Sequence, residues 1–251
     1  MGININSHKL EYRQVNDFYE GNYADSSTLN AFRFNNELLS FGEGVSFQVG
    51  AIAKLNKQIR FGLSYESPTW FSVTEETIEF AASNDGSNIT IEPDVINTYP
   101  EYRFKTPSKY SGSFAYIFGQ KGLISVDYTQ VNCDRAQFNE PNDDSLNEQN
   151  DVIIQNINAA GMLRIGGEYR FGNYSIRAGY INQGASLKNF DNSSSSKSIG
   201  GGINFGGSSL DLSIVSSEFN GQQQLFSTGL TDNIDLKKER FTVGLTYTLK
   251  L

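Results

Sequence analysis

The chain has 251 residues, enough for one large all-β domain, with 38% hydrophobic and 13% aromatic residues, 24 Gly, 5 Pro and a single Trp. Its formal net charge of −8 excludes nucleic acid as a partner, because phosphate binding needs a surplus or a stripe of Lys and Arg. The lone Cys133 excludes an intramolecular disulfide and reads as a plain loop or strand-end thiol, and no apolar run reaches the roughly 20 residues of a membrane helix.

The sequence predicts about ten strands, taken in order. The first covers residues 2–17, with Leu10, Tyr12 and Val15 apolar, and a polar loop over residues 19–40 follows. The second, residues 41–55, alternates Val45, Phe47, Val49, Ala51, Ala53 and Leu55 against Ser46, Gln48 and Lys54, and turns at residues 56–58. Successive side chains of a strand point to opposite faces, so this alternation means one apolar and one polar face. The third carries Ile59, Phe61, Leu63 and Tyr65 against Arg60, Ser64 and Glu66, and continues past Pro68 to about Phe80. A long loop containing Pro93 leads to Pro107.

The fourth strand sets Tyr110, Gly112, Phe114, Tyr116 and Phe118 on one face and turns at residues 119–122. The fifth sets Ile124, Val126 and Tyr128 against Ser125, Asp127 and Thr129, before an acidic loop over residues 134–151. Residues 157–181 then form a hairpin of long strands. Gly161, Leu163, Ile165, Gly167, Tyr169 and Phe171 alternate with Met162, Arg164, Glu168 and Arg170, and Gly172-Asn173 reverses the chain into Tyr174, Ile176, Ala178 and Tyr180. A Ser-rich loop, residues 184–198, precedes the eighth and ninth strands, which meet at Gly206-Gly207. After a loop over residues 220–236, the last strand alternates Phe241, Val243, Leu245, Tyr247, Leu249 and Leu251 against Arg240, Thr242, Gly244, Thr246, Thr248 and Lys250.

Short turns and long polar connections therefore alternate, and Phe118, Tyr169, Phe171, Tyr174 and Phe205 sit next to the short turns. This is the pattern of an outer-membrane protein: a transmembrane antiparallel up-and-down β-barrel with short periplasmic turns, long outer loops and an aromatic girdle. Hydrocarbon offers backbone groups no hydrogen bonds, so such strands must close into a ring. A soluble β-sandwich is the alternative; it would show shorter strands and no loop asymmetry. Residues 1–6 lack the basic start and apolar stretch of a signal peptide, which implies a fragment or a start further upstream.

Three segments carry a resemblance: residues 61–71 (FGLSYESPTWF), 106–119 (TPSKYSGSFAYIFG) and 122–128 (GLISVDY). Together with the opening GININSH, they resemble the FadL/TodX family of outer-membrane transporters, most closely its Bacteroidetes members. The resemblance spans the whole chain but only the C-terminal half or so of a full family member. It implies a barrel of fourteen strands around an N-terminal hatch, here without the hatch, the signal peptide and the first strands. It also implies passive uptake of long-chain fatty acids or other hydrophobic compounds across a Gram-negative outer membrane. Outer-membrane lipid, a hydrophobic small-molecule ligand and the barrel-insertion machinery are the implied partners. Gly244, Tyr247 and Leu249 stand where that machinery would read its signal, although the chain ends in Leu251 rather than an aromatic residue.

Arg60, Glu66, Asp127, Arg164, Glu168, Arg170, Arg177, Asp211 and Arg240 fall on the polar side of their strands, hence toward the lumen of a barrel. They read as an ion-pair ladder stiffening the interior, or as a conduit wall or plug contact. A hydrophobic ligand needs an apolar pocket, for which the candidates are Trp70, Phe71, Val73, Phe80, Leu225 and Phe226; the same residues also fit loop packing and an outer girdle. Residues 139–144 are rich in oxygen ligands but lack the spacing of a calcium loop, so no metal or cofactor is expected. The only histidine, His8, is expected low in the barrel, and no Ser/His/Asp arrangement accompanies it, so no enzyme is expected. The rival to transport is a structural or adhesive barrel whose long outer loops bind a partner.

Overall fold

The computed structural model describes residues 1–21, 29–84, 90–91, 96–140, 142–224 and 232–249. Fifteen strand segments join in one antiparallel sheet. They are β1 (Gly2–Gly21), β2 (Ala31–Lys54), β3 (Ile59–Glu66), β4 (Trp70–Asn84), β5 (Thr90–Ile91), β6 (Ile96–Thr98), β7 (Tyr102–Lys105), β8 (Lys109–Ile117), β9 (Gly122–Val131), β10 (Gln137–Phe138), β11 (Ala160–Phe171), β12 (Tyr174–Gln183), β13 (Ser194–Asn204), β14 (Ser208–Gln224) and β15 (Asn233–Leu249). One helix, α1 (Asp144–Asn156), stands between β10 and β11. No described helix is long and apolar enough to cross a membrane, which says nothing of strands.

The segments reduce to the ten rungs expected. β2 is flanked on one edge by β1 and on the other by β3 below and β4 above, so β3 and β4 are one interrupted strand. Likewise β5, β6, β7 and β8 descend in turn along β4 and β3, and β9 with β10 climbs back along β8 and β7. From β9 onward each strand pairs with the next, through β11 to β15. The sheet is open: among the described residues β1 pairs only with β2, and β15 only with β14.

The interruption of the third rung is a bulge. Gln48 pairs with Glu66 and Val45 with Trp70, so two residues of β2 face three, Ser67, Pro68 and Thr69. Pro68 is tolerated there because a bulge residue gives no ladder bond. Hydroxyls close the gap: Ser67 Oγ accepts from Phe47 N at 2.9 Å, and Thr106 Oγ1 accepts from Thr69 N at 2.8 Å. The extra residue also switches the faces, so odd residues carry the apolar face in β3 and even residues carry it in β4.

Several segments expected as loops are ordered. Residues 19–21 and 31–40 extend the first hairpin to the pair Gly21 and Ala31, and β14 and β15 pair out to Gln224 and Asn233. Polar strands look like loops in a hydropathy pattern, yet here they are laced by pairs such as Arg13–Glu37 at 2.6 Å and Arg33–Asp17 at 2.7 Å. The acidic loop holds a short 3-10 helix (Cys133–Arg135), β10 and α1. Asp143 caps α1 by accepting from Leu146 N at 3.1 Å. His8 faces Gly44, next to the Lys9–Glu43 pair, and is the seventh of the twenty residues of β1. The short turns stand as expected: Gly119, Gly172 and Gly206 adopt positive φ, and Asn56 Oδ1 accepts from the backbone of Gln58 and Ile59.

This sheet has no apolar core. Among the described residues only Val73 and Ala160 are buried apolar side chains, whereas most large ones are exposed. Register puts most of the exposed ones on one face, with Ile52, Leu123, Ile181 and Phe219 among those on the other. A line across the sheet runs Ala53, Phe61, Phe114, Val126, Ile165 and Tyr180; another runs Phe171, Tyr174, Ile203, Leu210 and Tyr247. Aromatic side chains form two tiers. The lower includes Phe171 stacked on Tyr174 at 5.7 Å; the upper includes Tyr65 beside Tyr110 at 4.9 Å and Phe47 beside Trp70 at 6.3 Å. Above the upper tier the apolar stripes stop at polar residues: Lys9, Glu43, Gln130, Asn182, Lys197, Ser216 and Glu239.

Candidate functional site

The nine charged residues singled out in the sequence all stand on the face opposite the apolar one. Four of them form one chain of ion pairs that spans four rungs, β11 to β14. Glu168 of β11 accepts from Arg170 Nε on its own strand and from Arg177 Nε of β12 at 2.8 Å. Arg177 then reaches past β13 to Asp211 Oδ1 of β14 at 2.5 Å. That reach requires β13 to be bare. Gly200 faces Arg177 and Gly202 faces Asp211, and a Cβ on Gly202 would lie 2.3 Å from the Asp211 carboxylate. Arg164 faces Asp127 in register, one rung further back. Elsewhere Glu66 pairs with Lys109 at 3.0 Å, Arg240 lies 6.0 Å from the Phe219 ring, and Arg60 faces Ala115.

Between these charges the polar face is paved with small residues. Gly50, Gly62, Ser64 and Ser113 floor a cavity of about 420 Å³, and Ser125, Gly166, Gly179 and Ser198 continue the pavement. Small side chains leave space above the sheet, while the Arg–Glu–Arg–Asp chain projects into it near the short turns.

The residues proposed for an apolar ligand pocket are not brought together. Trp70 and Phe80 face the apolar side, Phe71 and Val73 the polar side. Period-two alternation alone separates even from odd residues of β4, and the bulge at residues 67–69 decides which of the two sets takes the apolar side. Phe71 lies over Gly44, where an added Cβ would come within 2.6 Å of its ring, and Val73 is buried beside Gly42. Leu225 and Phe226 lie outside the described residues.

A second polar group was not expected from the sequence. High on the polar face, Glu75 Oε1 accepts from Ser40 Oγ at 2.9 Å and from Tyr102 Oη at 3.0 Å, and burial pushes the Tyr102 phenol up to about 12. His8 Nε2 lies 2.8 Å from Ser46 Oγ, with Phe71 at 6.1 Å. Phe104 and Phe138 lie beside this group, their rings 5.1 Å apart and tilted by 50°. Its parts come from four strands far apart in sequence, so only the register reveals it. No group of three or more His, Cys, Asp and Glu able to hold a metal is present among the described residues.

No protein-family model matches the chain, and no curated protein matches it at significant similarity.

Proposed function

We propose that this sheet is wall of an outer-membrane β-barrel that passes hydrophobic small molecules, such as long-chain fatty acids, by passive diffusion. The observation that carries the membrane reading is the apolar band. On β15 its stripe runs from Phe241 to Leu249, about 26 Å at roughly 3.3 Å per residue, or about 20 Å between Cα atoms once tilted by about 40°. A barrel's lipid-facing band is about 25 Å tall, bounded by aromatic girdles at both interfaces. In water the same surface would be an apolar patch far larger than a soluble monomer exposes. The opposite face, polar and small-sided, suits the wall of a wet interior.

The transport reading also draws on the resemblance of residues 61–71, 106–119 and 122–128 to the FadL/TodX family. Its test is uptake of a labelled long-chain fatty acid into proteoliposomes. Flux above empty vesicles, saturating with concentration, supports the reading; flux equal to that of empty vesicles overturns it. One observation favours a second reading, a barrel that binds a partner outside the membrane. The β1–β2 hairpin runs on from Lys9 to Gly21 above the band, about 40 Å of ordered strand. Deleting residues 12–38 would abolish partner capture on that reading and leave fatty-acid flux intact on the first.

A further inference from the structure

We propose that a basic pocket at the upper rim of the apolar band holds the phosphorylated headgroup of a membrane lipid; the proposal rests on the membrane reading above. Lys105 stands directly opposite Trp70 on the apolar face, at the height where the stripes end. The ladder divides at this level. β9 stops at Val131, the 3-10 helix turns the chain aside, and β10 pairs with β7 while β11 begins at Ala160. Between the two branches lies a cavity of about 430 Å³, lined by Lys105, Arg135, Lys188, Asp134, Ile154 and Ile157 among others.

Three cations against one carboxylate is an unusual local balance in a chain of net charge −8. Lys105 Nζ donates to Gln137 Oε1 at 3.3 Å, Lys188 Nζ donates to Ile154 O at 2.5 Å, and Arg135 Nε stands 3.8 Å from Asp134 Oδ2. Asp134 Oδ1 is buried with no hydrogen-bond partner among the described residues, so it is set to accept from a headgroup hydroxyl or ammonium. Arg103, two residues before Lys105 on the same face, adds positive charge beside the rim. Lys and Arg are the side chains that hold phosphate, and at interface height a lipid can place its phosphate in the pocket and its chains along the band past Trp70.

Trp70 is the only tryptophan of the chain, so its emission comes from one position, across the ladder from Lys105. The experiment reconstitutes the protein in phosphatidylcholine vesicles containing a small fraction of brominated phosphatidic acid or, separately, brominated phosphatidylcholine, and reads quenching of Trp70. The expected result is preferential quenching by the phosphatidic acid, at about fivefold lower mole fraction or less, since each basic residue near an anionic lipid contributes about that factor. The preference disappears in Lys105→Gln/Arg135→Gln, which leaves Lys188 on the end of α1. Equal quenching by both lipids in the natural protein overturns the proposal, as does a preference that survives in the variant. Displacement of the phosphatidic acid by excess inorganic phosphate identifies a free-anion site and overturns the lipid assignment. Absence of quenching by either lipid, with protein that does not float with the vesicles, refutes the membrane reading itself.

Discussion

Replacing Leu63 by Arg separates the two environments open to the apolar face. Leu63 is 73% exposed and lies midway along the stripe from Ile59 to Trp70, on a strand paired on both edges, opposite Ala51 and Gly112. If water covered this face, Leu63→Arg would exchange one exposed side chain for another and shift stability by no more than about 0.5 kcal/mol. If hydrocarbon covers it, the charge costs about 2–4 kcal/mol near the bilayer midplane, about 30-fold to several hundred-fold in the folding equilibrium. Ser64→Arg is the control: one residue along, it points to the polar face between Gly50 and Ser111, where there is room. The assay is reversible urea unfolding in phosphatidylcholine vesicles, followed through Trp70. The expected outcome is a loss of at least about 2 kcal/mol for Leu63→Arg and about 0.5 kcal/mol or less for Ser64→Arg. Equal, small losses for both would refute the lipid-facing assignment.

Gly122→Ala forces a Cβ to 2.0 Å from Glu168 O at φ +153°, whereas Gly206→Ala at φ +87° meets open space; unfolding should show a loss of at least about 2 kcal/mol for the first and about 1 kcal/mol for the second. Arg177→Met removes the group joining Glu168 to Asp211, and because Arg177 is 43% exposed the loss is discounted to about 1–2 kcal/mol; Gly202→Ala, which crowds the Asp211 carboxylate, should weaken the same link, and a double variant showing full additivity would argue against a shared network. The Arg33 guanidinium holds the Asp17 carboxyl below its ordinary range, and Arg13 does the same for Glu37. Lowered carboxyl values stabilise above the ordinary range and lose that effect as pH falls through the lowered values. Amide exchange in the upper β1–β2 hairpin should therefore be slow at neutral pH and accelerate on acidification below about pH 4; exchange indifferent to pH, after correction for the intrinsic rate, would count against these pairs.

Much of the fold was legible because period-two alternation is a local signal. The stripes ending in Phe171, Tyr174 and Leu249, the turns at Gly119, Gly172 and Gly206, and the ten rungs all follow from spacing alone. The misses share one cause. Hydropathy marks a strand only where one face is apolar, so β1 was lost beyond Asp17 and β2 above Phe41, where polar residues interrupt both faces and pairs such as Arg13–Glu37 and Arg33–Asp17 lace the hairpin. α1 did leave a signature, the capping residue Asp143, but the acidic composition around it was taken for a loop. The polar-face residues could be assigned to one side from alternation within each strand. Their partners could not, since the link from Arg177 to Asp211 depends on the register of three strands and on glycines at 200 and 202. The proposed ligand pocket is divided by alternation itself, since Trp70 and Phe71 are neighbours on one strand and point to opposite faces; the extra residue at the 67–69 bulge decides which face each takes.

The open edges set a condition on any assembly built from this sheet. β1 offers the edge away from β2, and β15 the edge away from β14, as runs of backbone N–H and C=O groups along most of the band height. In water such edges cost little, because solvent satisfies them. Within hydrocarbon each unsatisfied group costs several kcal/mol, so even a handful of bare groups would outweigh the whole stability of an ordinary domain. The membrane reading therefore requires extended backbone against both edges. Side chains do not relieve this requirement, since Ile3 and Ile5 on β1, and Val243, Leu245 and Tyr247 on β15, project from the face and leave the edge uncovered. On the membrane reading, the apolar face and the edges left free among the described residues make opposite demands on the solvent, and closure of the sheet into a ring would satisfy both.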